Sequence, residues 1–268
     1  AGVKELLVIS QDTSAYGVDL RYRTDFVDGR PVRTRLFELC RELGQLARQY
    51  GAWVRLHYVY PYPAVDDVLP LMAEGLILPY LDVPLQHAHP RILKLMKRPA
   101  SGERNIERIQ AWRKVCPELT IRSTFIAGFP GETEEDFLDT LSLVEEVGFA
   151  SAYTFIYSRR PGTPAARITD DTPREVIQGR FDRLASLVER LAHEANVPYQ
   201  GSRVEALIEG ASKKDDRVLV GHSPHNQTVL LDLPEGSHAG DFVGTLCDVH
   251  VTEARTWYLR GELAGLPR

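Results

Sequence analysis

The sequence has little cysteine, and its three cysteines are far apart. They are Cys40, Cys116 and Cys247 in 268 residues. A secreted disulfide framework normally has an even number of cysteines at close spacing, so we interpret these as buried or half-buried thiols of a cytoplasmic protein. No CxxC or CxxxCxxC pattern occurs. The local spacing therefore predicts no metal or iron–sulfur site in this chain.

Long apolar runs are also missing. No stretch approaches the ~18 consecutive apolar residues of a membrane span, so we expect no membrane partner. The first five residues, Ala1-Gly2-Val3-Lys4-Glu5, have neither the basic nor the apolar segment of a signal peptide. A predicted strand follows almost at once, which we interpret as a start inside a domain.

Positive charge is in deficit. The formal net charge is −5, which argues against a globally basic nucleic-acid binder. From Pro198 to Arg268 there are seven Lys and Arg residues against ten Asp and Glu residues, a net charge of −3. This end of the chain is a poor electrostatic partner for RNA and a better one for a basic protein.

Up to residue 197, short apolar runs alternate with helical patterns. The predicted strands are Lys4–Ser10 (buried), Trp53–Val59, Tyr80–Val83, Leu119–Ala127 and Ser151–Tyr157. The predicted helices lie near Thr34–Gln49, Asp66–Glu74, Pro90–Met96 and Glu103–Val115, and after Thr133 and Thr172. Such alternation predicts a parallel sheet or barrel with helices on the outside.

Two helix starts have clear capping chemistry. Thr133 can cap a helix with Asp136 three residues later, and Gly148 can end that helix. Thr172-Pro173-Arg174-Glu175 reads as a capping box with proline at the first helical position. In this last helix the apolar residues recur every three or four positions and form one face: Ile177, Phe181, Leu184, Val188, Leu191 and Ala195.

After residue 197 the pattern changes to five short strands within about seventy residues, separated by Gly, Pro, Ser and Asp. This spacing predicts a small antiparallel barrel. We therefore predict an α/β fold with two domains: a partial (β/α) barrel over residues 1–197 and a small antiparallel β-barrel over residues 198–268.

In a parallel α/β barrel, ligands bind at the carboxyl ends of the strands. The segments that follow the predicted strands here are polar, aromatic or rich in Gly and Pro. They are Gln11–Gly17, Tyr60–Pro63, Pro84–His89, Gly128–Thr133 and Ser158–Thr163. Such a rim suits an adenosine-bearing ligand, which needs polar partners and an apolar slot for the base.

Each of these features also has a simpler interpretation. Gly128–Gly131 can be a tight turn, and Gln11 can cap backbone amides in its loop. His87 and His89 have a spacing that suits loop packing as well as metal ligation. Arg122 lies inside an apolar strand and needs an anionic partner, which can be a ligand carboxylate or an internal salt bridge.

Taken together, these segments resemble the methylthiotransferase family of radical S-adenosylmethionine (SAM) enzymes. The motifs that carry the resemblance are Val8-Ile9-Ser10-Gln11-Asp12-Thr13-Ser14-Ala15-Tyr16-Gly17, Asp82-Val83-Pro84-Leu85-Gln86-His87-Ala88, Leu93-Lys94-Leu95-Met96-Lys97-Arg98-Pro99 and Arg122–Thr133. The Ser10–Gly17 form is similar to the branch that modifies an aspartate of a small-subunit ribosomal protein (RimO-type). The closing barrel is similar to the TRAM domain.

The resemblance implies a mechanism and its cofactors. In the family, a [4Fe–4S] cluster on a CxxxCxxC loop cleaves SAM to a radical that removes hydrogen from a C–H bond, and a second cluster takes part in methylthiolation. The cysteine loop is expected just upstream of Ala1, and the second cluster in an N-terminal domain. The ligands of both clusters are absent from this chain, so we expect this chain alone to be unable to cleave SAM.

The resemblance also implies site residues, though no catalytic residue and no metal ligand. The expected SAM contacts are Gln11, Gln86, Arg122, Thr124, Gly128 and Glu132, with Phe155 and Tyr157 near the adenine. The expected partner is a basic ribosomal protein or the ribosome.

Other functions stay open at this point. Phe155–Ala166 and Thr256–Gly261 look more like the tRNA-modifying branch (MiaB-type), so tRNA is the alternative substrate. A non-catalytic module that binds RNA or the ribosome is the alternative of another class. A barrel enzyme with a phosphate ligand is weakened by the lack of a Gly-rich phosphate loop.

Overall fold

The computed structural model describes residues 2–98, 102–265 and 267–268. In chain order its first part contains β1 (Glu5–Val8), β2 (Thr24–Val27), β3 (Arg30–Arg33), α1 (Leu36–Gln49), β4 (Trp53–Leu56), α2 (Pro63–Asp66), α3 (Leu69–Ala73), β5 (Tyr80–Asp82), α4 (Pro90–Leu95), α5 (Gly102–Val115), β6 (Thr120–Ala127), α6 (Glu134–Val147), β7 (Ser151–Ile156) and α7 (Arg174–Asn196). Strands and helices therefore alternate, as the sequence predicts.

Five of these strands run parallel and form an open barrel. β1 pairs with β4, and β5, β6 and β7 form a second sheet in that order. Two backbone hydrogen bonds join the sheets: Val59 N donates to Asp82 O at 2.9 Å and Leu78 N donates to Val54 O at 2.9 Å. The predicted partial (β/α) barrel is confirmed.

Side chains alternate along β6 between the helical layer and the barrel interior. Four of them are fully buried beneath the outer helices: Ile121, Ser123, Phe125 and Ala127. The intervening residues are half-buried and face the interior: Thr120, Arg122, Thr124 and Ile126. Because the period of a strand is two, this alternation decides which side chains of β6 can meet a ligand inside the barrel.

The outer helices bury apolar stripes against the sheet. In α7, Leu184, Val188 and Leu191 are buried in the main core, which confirms the middle of the predicted stripe. The start of α6 is also as predicted, because Thr133 and Asp136 form a reciprocal capping box and Gly148 ends the helix in the left-handed conformation.

The second part of the chain is a closed antiparallel barrel with its own core. Its strands are β8 (Arg203–Ala211), β9 (Val218–His222), β10 (Thr228–Asp232), β11 (Leu246–Ala254) and β12 (Leu259–Leu263), joined in the order β10-β12-β11-β8-β9. One pair, β10 and β12, is parallel. We propose that the two domains divide at residue 197, between the end of α7 and the start of β8.

Three local predictions were wrong. β1 is not buried: its side chains are half-buried or exposed, because β4 is its sole partner among the described strands. The predicted helix over Asp66–Glu74 is two short helices, α2 and α3. The capping box at Thr172 does not form, since the Thr172 hydroxyl donates to Asp170 instead and Pro173 precedes the first turn without a side-chain cap.

A hairpin between β1 and α1 was not predicted. β2 and β3 pair antiparallel around Asp28 and Gly29, which both have positive φ, 48° and 75°. A two-residue Asp-Gly turn is a strong hairpin signal, so the sequence contained the information. The hairpin is exposed, and the Phe26 side chain is 68% accessible.

A loop of the second barrel closes the amino-terminal mouth of the first. The Arg55 side chain on β4 is fully buried and donates to Pro224 O at 2.9 Å and Ser223 O at 3.0 Å, in the loop between β9 and β10. Its Nε also donates to Glu5 at 2.7 Å. Burial alone would raise the pKa of Glu5, but His222 and Arg55 hold it below its ordinary value. The Glu5–Arg55 pair therefore joins both domains.

Replacing Arg55 by methionine should lower the free energy of unfolding by about 3 kcal/mol, because Glu5 and two buried carbonyls lose their donor. Urea unfolding followed by circular dichroism measures this. The double variant R55M/E5Q should recover part of the loss. The control R190M removes two exposed ion pairs and should change little. An unchanged unfolding midpoint for R55M would contradict this role.

Candidate functional site

The loop after β6 makes a sharp turn that requires glycine. Gly128 has a φ of +70°, and a Cβ added there would lie 2.3 Å from the Ile177 Cγ2 atom of α7. Its N–H donates to the Glu132 carboxylate at 2.6 Å, four residues later. The turn thus brings the loop backbone close to the end of β6 and fixes it there.

Glu132 connects three segments around the carboxyl ends of β5 and β6. One oxygen accepts the Gly128 N–H, and the other lies 3.2 Å from His87 Nε2 in the loop after β5. Arg180 of α7 donates to the Glu132 carbonyl at 2.9 Å and lies 3.3 Å from its carboxylate. The Glu132 and His87 side chains are almost fully inaccessible. Both Glu132 oxygens are therefore engaged within the protein.

Gln86 lies at the same end of the barrel in an unusual backbone conformation. Its φ is +71°. Its backbone forms two hydrogen bonds with β6: its N–H donates to Thr124 O at 2.7 Å, and its carbonyl accepts from Ile126 N at 2.9 Å. These bonds hold the Gln86 side chain next to the interior face of β6.

A cavity of about 260 Å³ opens beside Gln86. Its other lining residues are Leu95, Met96, Lys97, Arg98, Ile126, Phe129, Tyr157, Thr163, Pro164 and Ala165. The Phe129 and Tyr157 rings meet edge to face at 5.1 Å. The cavity is smaller than the roughly 300–1,000 Å³ typical of whole ligands, so it suits one apolar end of a larger molecule, such as a nucleobase.

Arg122 occupies a different level of the barrel, nearer the amino-terminal mouth. Its Nη2 donates to Asp82 at 2.7 Å, so the internal salt bridge is present. Burial alone would raise the pKa of Asp82, but the nearby His57 ring and the Arg122 guanidinium hold it below its ordinary value. The guanidinium also lies over the Tyr153 ring, 5.0 Å from its centre.

The remaining expected contacts are divided between the interior and the rim. Thr124 is half-buried on the interior face of β6. Phe155 points into the interior with 52% of its surface exposed, and Tyr157 lines the cavity. Gln11 is exposed in the loop after β1. The structure thus groups Gln86, Gly128 and Tyr157 around one end, and direct contact of any of these residues with a ligand stays a prediction.

The cysteines do not meet. All three thiols are free and buried, on α1, just after α5 and on β11. Burial raises the pKa of Cys40 to about 12, which disfavours the thiolate form that binds metal. Within the described ranges, no group of three or more His, Cys, Asp or Glu residues could hold a metal ion. These residues therefore do not suit an iron–sulfur cluster.

Two family profiles cover most of the chain. The Radical SAM superfamily profile matches residues 2–144, and the TRAM domain profile matches residues 198–264. The chain therefore belongs to the radical SAM superfamily and carries a TRAM domain. This membership supports SAM and iron–sulfur clusters as cofactors of the longer relatives' family, as the resemblance implies, whereas this sequence contains no CxxxCxxC loop to hold a cluster. Coproporphyrinogen III oxidase from Escherichia coli, a radical SAM enzyme of known structure, aligns with a TM-score of 0.47 and 14% identity over 79% of this chain and 50% of that chain.

Several methylthiotransferases are much more similar to this chain in sequence than coproporphyrinogen III oxidase is. The chain is 55% identical over 222 residues to ribosomal protein uS12 methylthiotransferase RimO of Leptothrix cholodnii, which covers 83% of this chain and 48% of that protein. The protein of the same name from Janthinobacterium sp. is 51% identical over 256 residues, 95% of this chain and 56% of the relative. The protein of the same name from Ralstonia nicotianae is 58% identical over 209 residues, which are 78% of this chain and 46% of the relative. The chain spans about half the length of these relatives.

The residues present suit SAM better than they suit a cluster. Gly128 keeps the turn free of a side chain, and the cavity beside Gln86 offers an apolar slot flanked by an amide. SAM would be held there by its adenosine end. When bound with a reduced cluster, it supplies a radical that removes a hydrogen atom from the substrate.

Sequence reasoning missed several residues that shape this site. Arg180 lies on a helix far from the strand-end motifs, and the pattern around Asp82 does not indicate that its carboxylate is the partner of Arg122. A local signal for Arg180 did exist, because it breaks the apolar pattern of α7 between Ile177 and Phe181. Its buried partner Glu132 could not be identified from spacing alone.

Replacing Gly128 by alanine should lower the free energy of unfolding by about 2–4 kcal/mol, because the left-handed backbone and the Ile177 side chain both oppose a Cβ. Thermal and urea unfolding measure it. G162A is a suitable control: Gly162 also has positive φ, at 85°, but has open space around it. Equal losses in both variants would show that the close approach to Ile177 is unimportant.

After anaerobic treatment with iron and sulfide, this chain should stay colourless. Its three thiols are buried in separate elements and cannot enclose a four-iron cluster in one chain. Visible absorption and iron content per chain measure the result. A stable brown protein with about four irons per chain would contradict the assignment of the cluster ligands to residues outside this sequence.

Proposed function

We propose that this chain is the catalytic barrel and TRAM portion of a ribosomal protein uS12 methylthiotransferase. The observation that carries the proposal is the 51% identity over 256 residues, which extends through the barrel, its strand-end loops and the second domain. The barrel is open and has a glycine turn and an apolar cavity at its carboxyl end, which supports SAM binding at that end.

In this proposal the residues of this chain bind SAM, orient it and shield it from water. The cavity beside Gln86 takes the adenine, with Tyr157 and Phe129 as its aromatic wall. Gly128 lets the loop backbone approach the ligand, and Glu132 holds that loop from behind. Phe155 and Thr124 face the interior, where they exclude water from the space next to the bound cofactor.

The substrate is tested with a longer protein that contains this chain. Purified uS12 is incubated with that protein, SAM and a reductant, and the mass of its peptides is measured. We expect one peptide to gain the mass of a methylthio group, and the variant Q86A to reduce the yield more than Q11A does. Modification of tRNA with no change in uS12 would contradict the proposed substrate.

The tRNA alternative predicts a different behaviour of the second domain. Its seven basic residues against ten acidic ones leave few phosphate contacts, and Asp215 and Asp216 interrupt the basic group of Lys213, Lys214 and Arg217. We therefore expect the chain to bind tRNA weakly at physiological salt. Fluorescence anisotropy measures this, and sub-micromolar affinity with a steep salt dependence would favour the tRNA-modifying branch.

A basic ribosomal protein stays the proposed partner, and the cytoplasm the proposed location. No helix in the described part of the chain is long and apolar enough to cross a membrane.

A further inference from the structure

β7 has a free edge. Within the described sheet it pairs with β6 alone. The Tyr157 N–H, just after β7, donates to Ala127 O of β6 at 2.9 Å. Because alternate residues of a strand direct their peptide groups to opposite edges, those of Ala152, Thr154 and Ile156 point away from β6. Their N–H and C=O groups form a row along this edge, and no other described strand pairs with them.

A groove of about 470 Å³ lies beside this edge. Ser151–Thr154 of β7 line one side, with Thr120 and Arg122 of β6 behind them. The opposite side is formed by the end of α7 and two loops of the second barrel: Asn196, His225, Asn226, Gln227, Thr228, Thr256 and Trp257. The Trp257 side chain is 54% exposed at this boundary. The strand edge therefore faces a wall of amides, hydroxyls and one large aromatic ring.

The chemistry of this wall matches a polypeptide backbone. The Asn196 and Gln227 amides are already bonded to each other, and Asn196 also donates to two backbone carbonyls of the second barrel. The hydroxyls along the groove are both donors and acceptors, so they can pair with peptide N–H and C=O groups alike. RNA would require several cations to neutralise its phosphates. Burial lowers the pKa of His225, which keeps its ring neutral at pH 7. Arg122 is then the one cation among the residues that line the groove.

Arg122 also has unused donors. Its Nη2 bonds Asp82, its Nη1 is 3.4 Å from the Tyr153 hydroxyl, and its Nε is buried without a partner in the described part of the chain. A guanidinium with free donors at the back of a groove favours an acidic side chain of a ligand. β7 then runs from this groove toward Tyr157, which lines the cavity beside Gln86. A strand paired with β7 would lead to the candidate cofactor site.

We propose that the free edge of β7 binds an extended segment of the protein substrate by strand addition, with an acidic side chain of that segment directed at Arg122. This inference rests on the proposed function, because it takes uS12 as the ligand. Strand addition supplies main-chain hydrogen bonds for affinity, and the groove selects side chains. The Trp257 ring covers the added strand from the side of the second barrel.

The direct test removes one edge donor without changing the fold. Thr154→Pro deletes an N–H that points away from β6, and proline is tolerated at such edge positions. Thr154→Val keeps the N–H and is the matched control. Binding of purified uS12 is measured by fluorescence anisotropy without SAM or iron. We expect T154P to lose affinity by about tenfold or more, since a lost hydrogen bond and a steric block act together. T154V should stay within about twofold.

Circular dichroism and melting curves must show that both variants are folded. A second variant, W257A, changes the opposite wall and should also weaken uS12 binding. Equal uS12 affinity of T154P and T154V overturns strand addition, and so does failure of the unaltered chain to bind uS12. If T154P weakens the binding of tRNA but not that of uS12, the groove does not bind a polypeptide and the proposal is overturned.

Activity separates this inference from the proposed function. In the longer protein, T154P should lower the rate of uS12 methylthiolation at subsaturating substrate. If T154P modifies uS12 at the unaltered rate, the docking edge is wrong while the methylthiotransferase assignment stands. If the unaltered longer protein leaves uS12 unmodified, the proposed function is wrong, and the anisotropy measurements still decide whether β7 binds the protein.

Discussion

The carboxylate of Glu132 is a buried charge at the point where the loops after β5 and β6 meet α7. Burial of a carboxylate is tolerated only with close partners, and here they come from three segments: His87, the Gly128 N–H and Arg180. Because each partner belongs to a different part of the chain, the ion cannot be satisfied unless all three are in place. The geometry of the carboxyl end of the barrel follows from this requirement.

The two ends of the open barrel are stabilised differently. At the carboxyl end, one carboxylate fixes loops that leave a cavity beside Gln86. At the amino-terminal mouth, Arg55 reaches the loop between β9 and β10 and seals the interior with backbone carbonyls of the second domain. Between these ends the interior is open along β7. The radical SAM barrel and the TRAM domain therefore share one polar boundary, and the free edge of β7 lies along it.

Much of the fold could be predicted because its signals are local. Alternation of strands and helices gave the barrel, and the Thr133–Asp136 capping box depends on residues three positions apart. The Asp28-Gly29 hairpin was equally local and was overlooked. The interior ion pairs could not be predicted, because Arg122 and Asp82 are 40 residues apart and Arg180 and Glu132 are 48 apart. The partner of a buried charge is decided by strand register and helix packing. Neither can be deduced from the spacing of residues along the sequence.

Hydrogen exchange tests most directly whether Glu132 organises the site. Mass spectrometry of peptic fragments would compare the unaltered chain with E132A, and with E135A as a control at an exposed residue of α6, the helix that follows Glu132. We expect E132A to accelerate exchange in both loops, around Gly128–Gly131 and around His87–His89, while β8–β12 and the E135A protein stay unchanged. Exchange that rises in one loop alone, or in neither, would contradict the view that a single buried carboxylate holds these loops together.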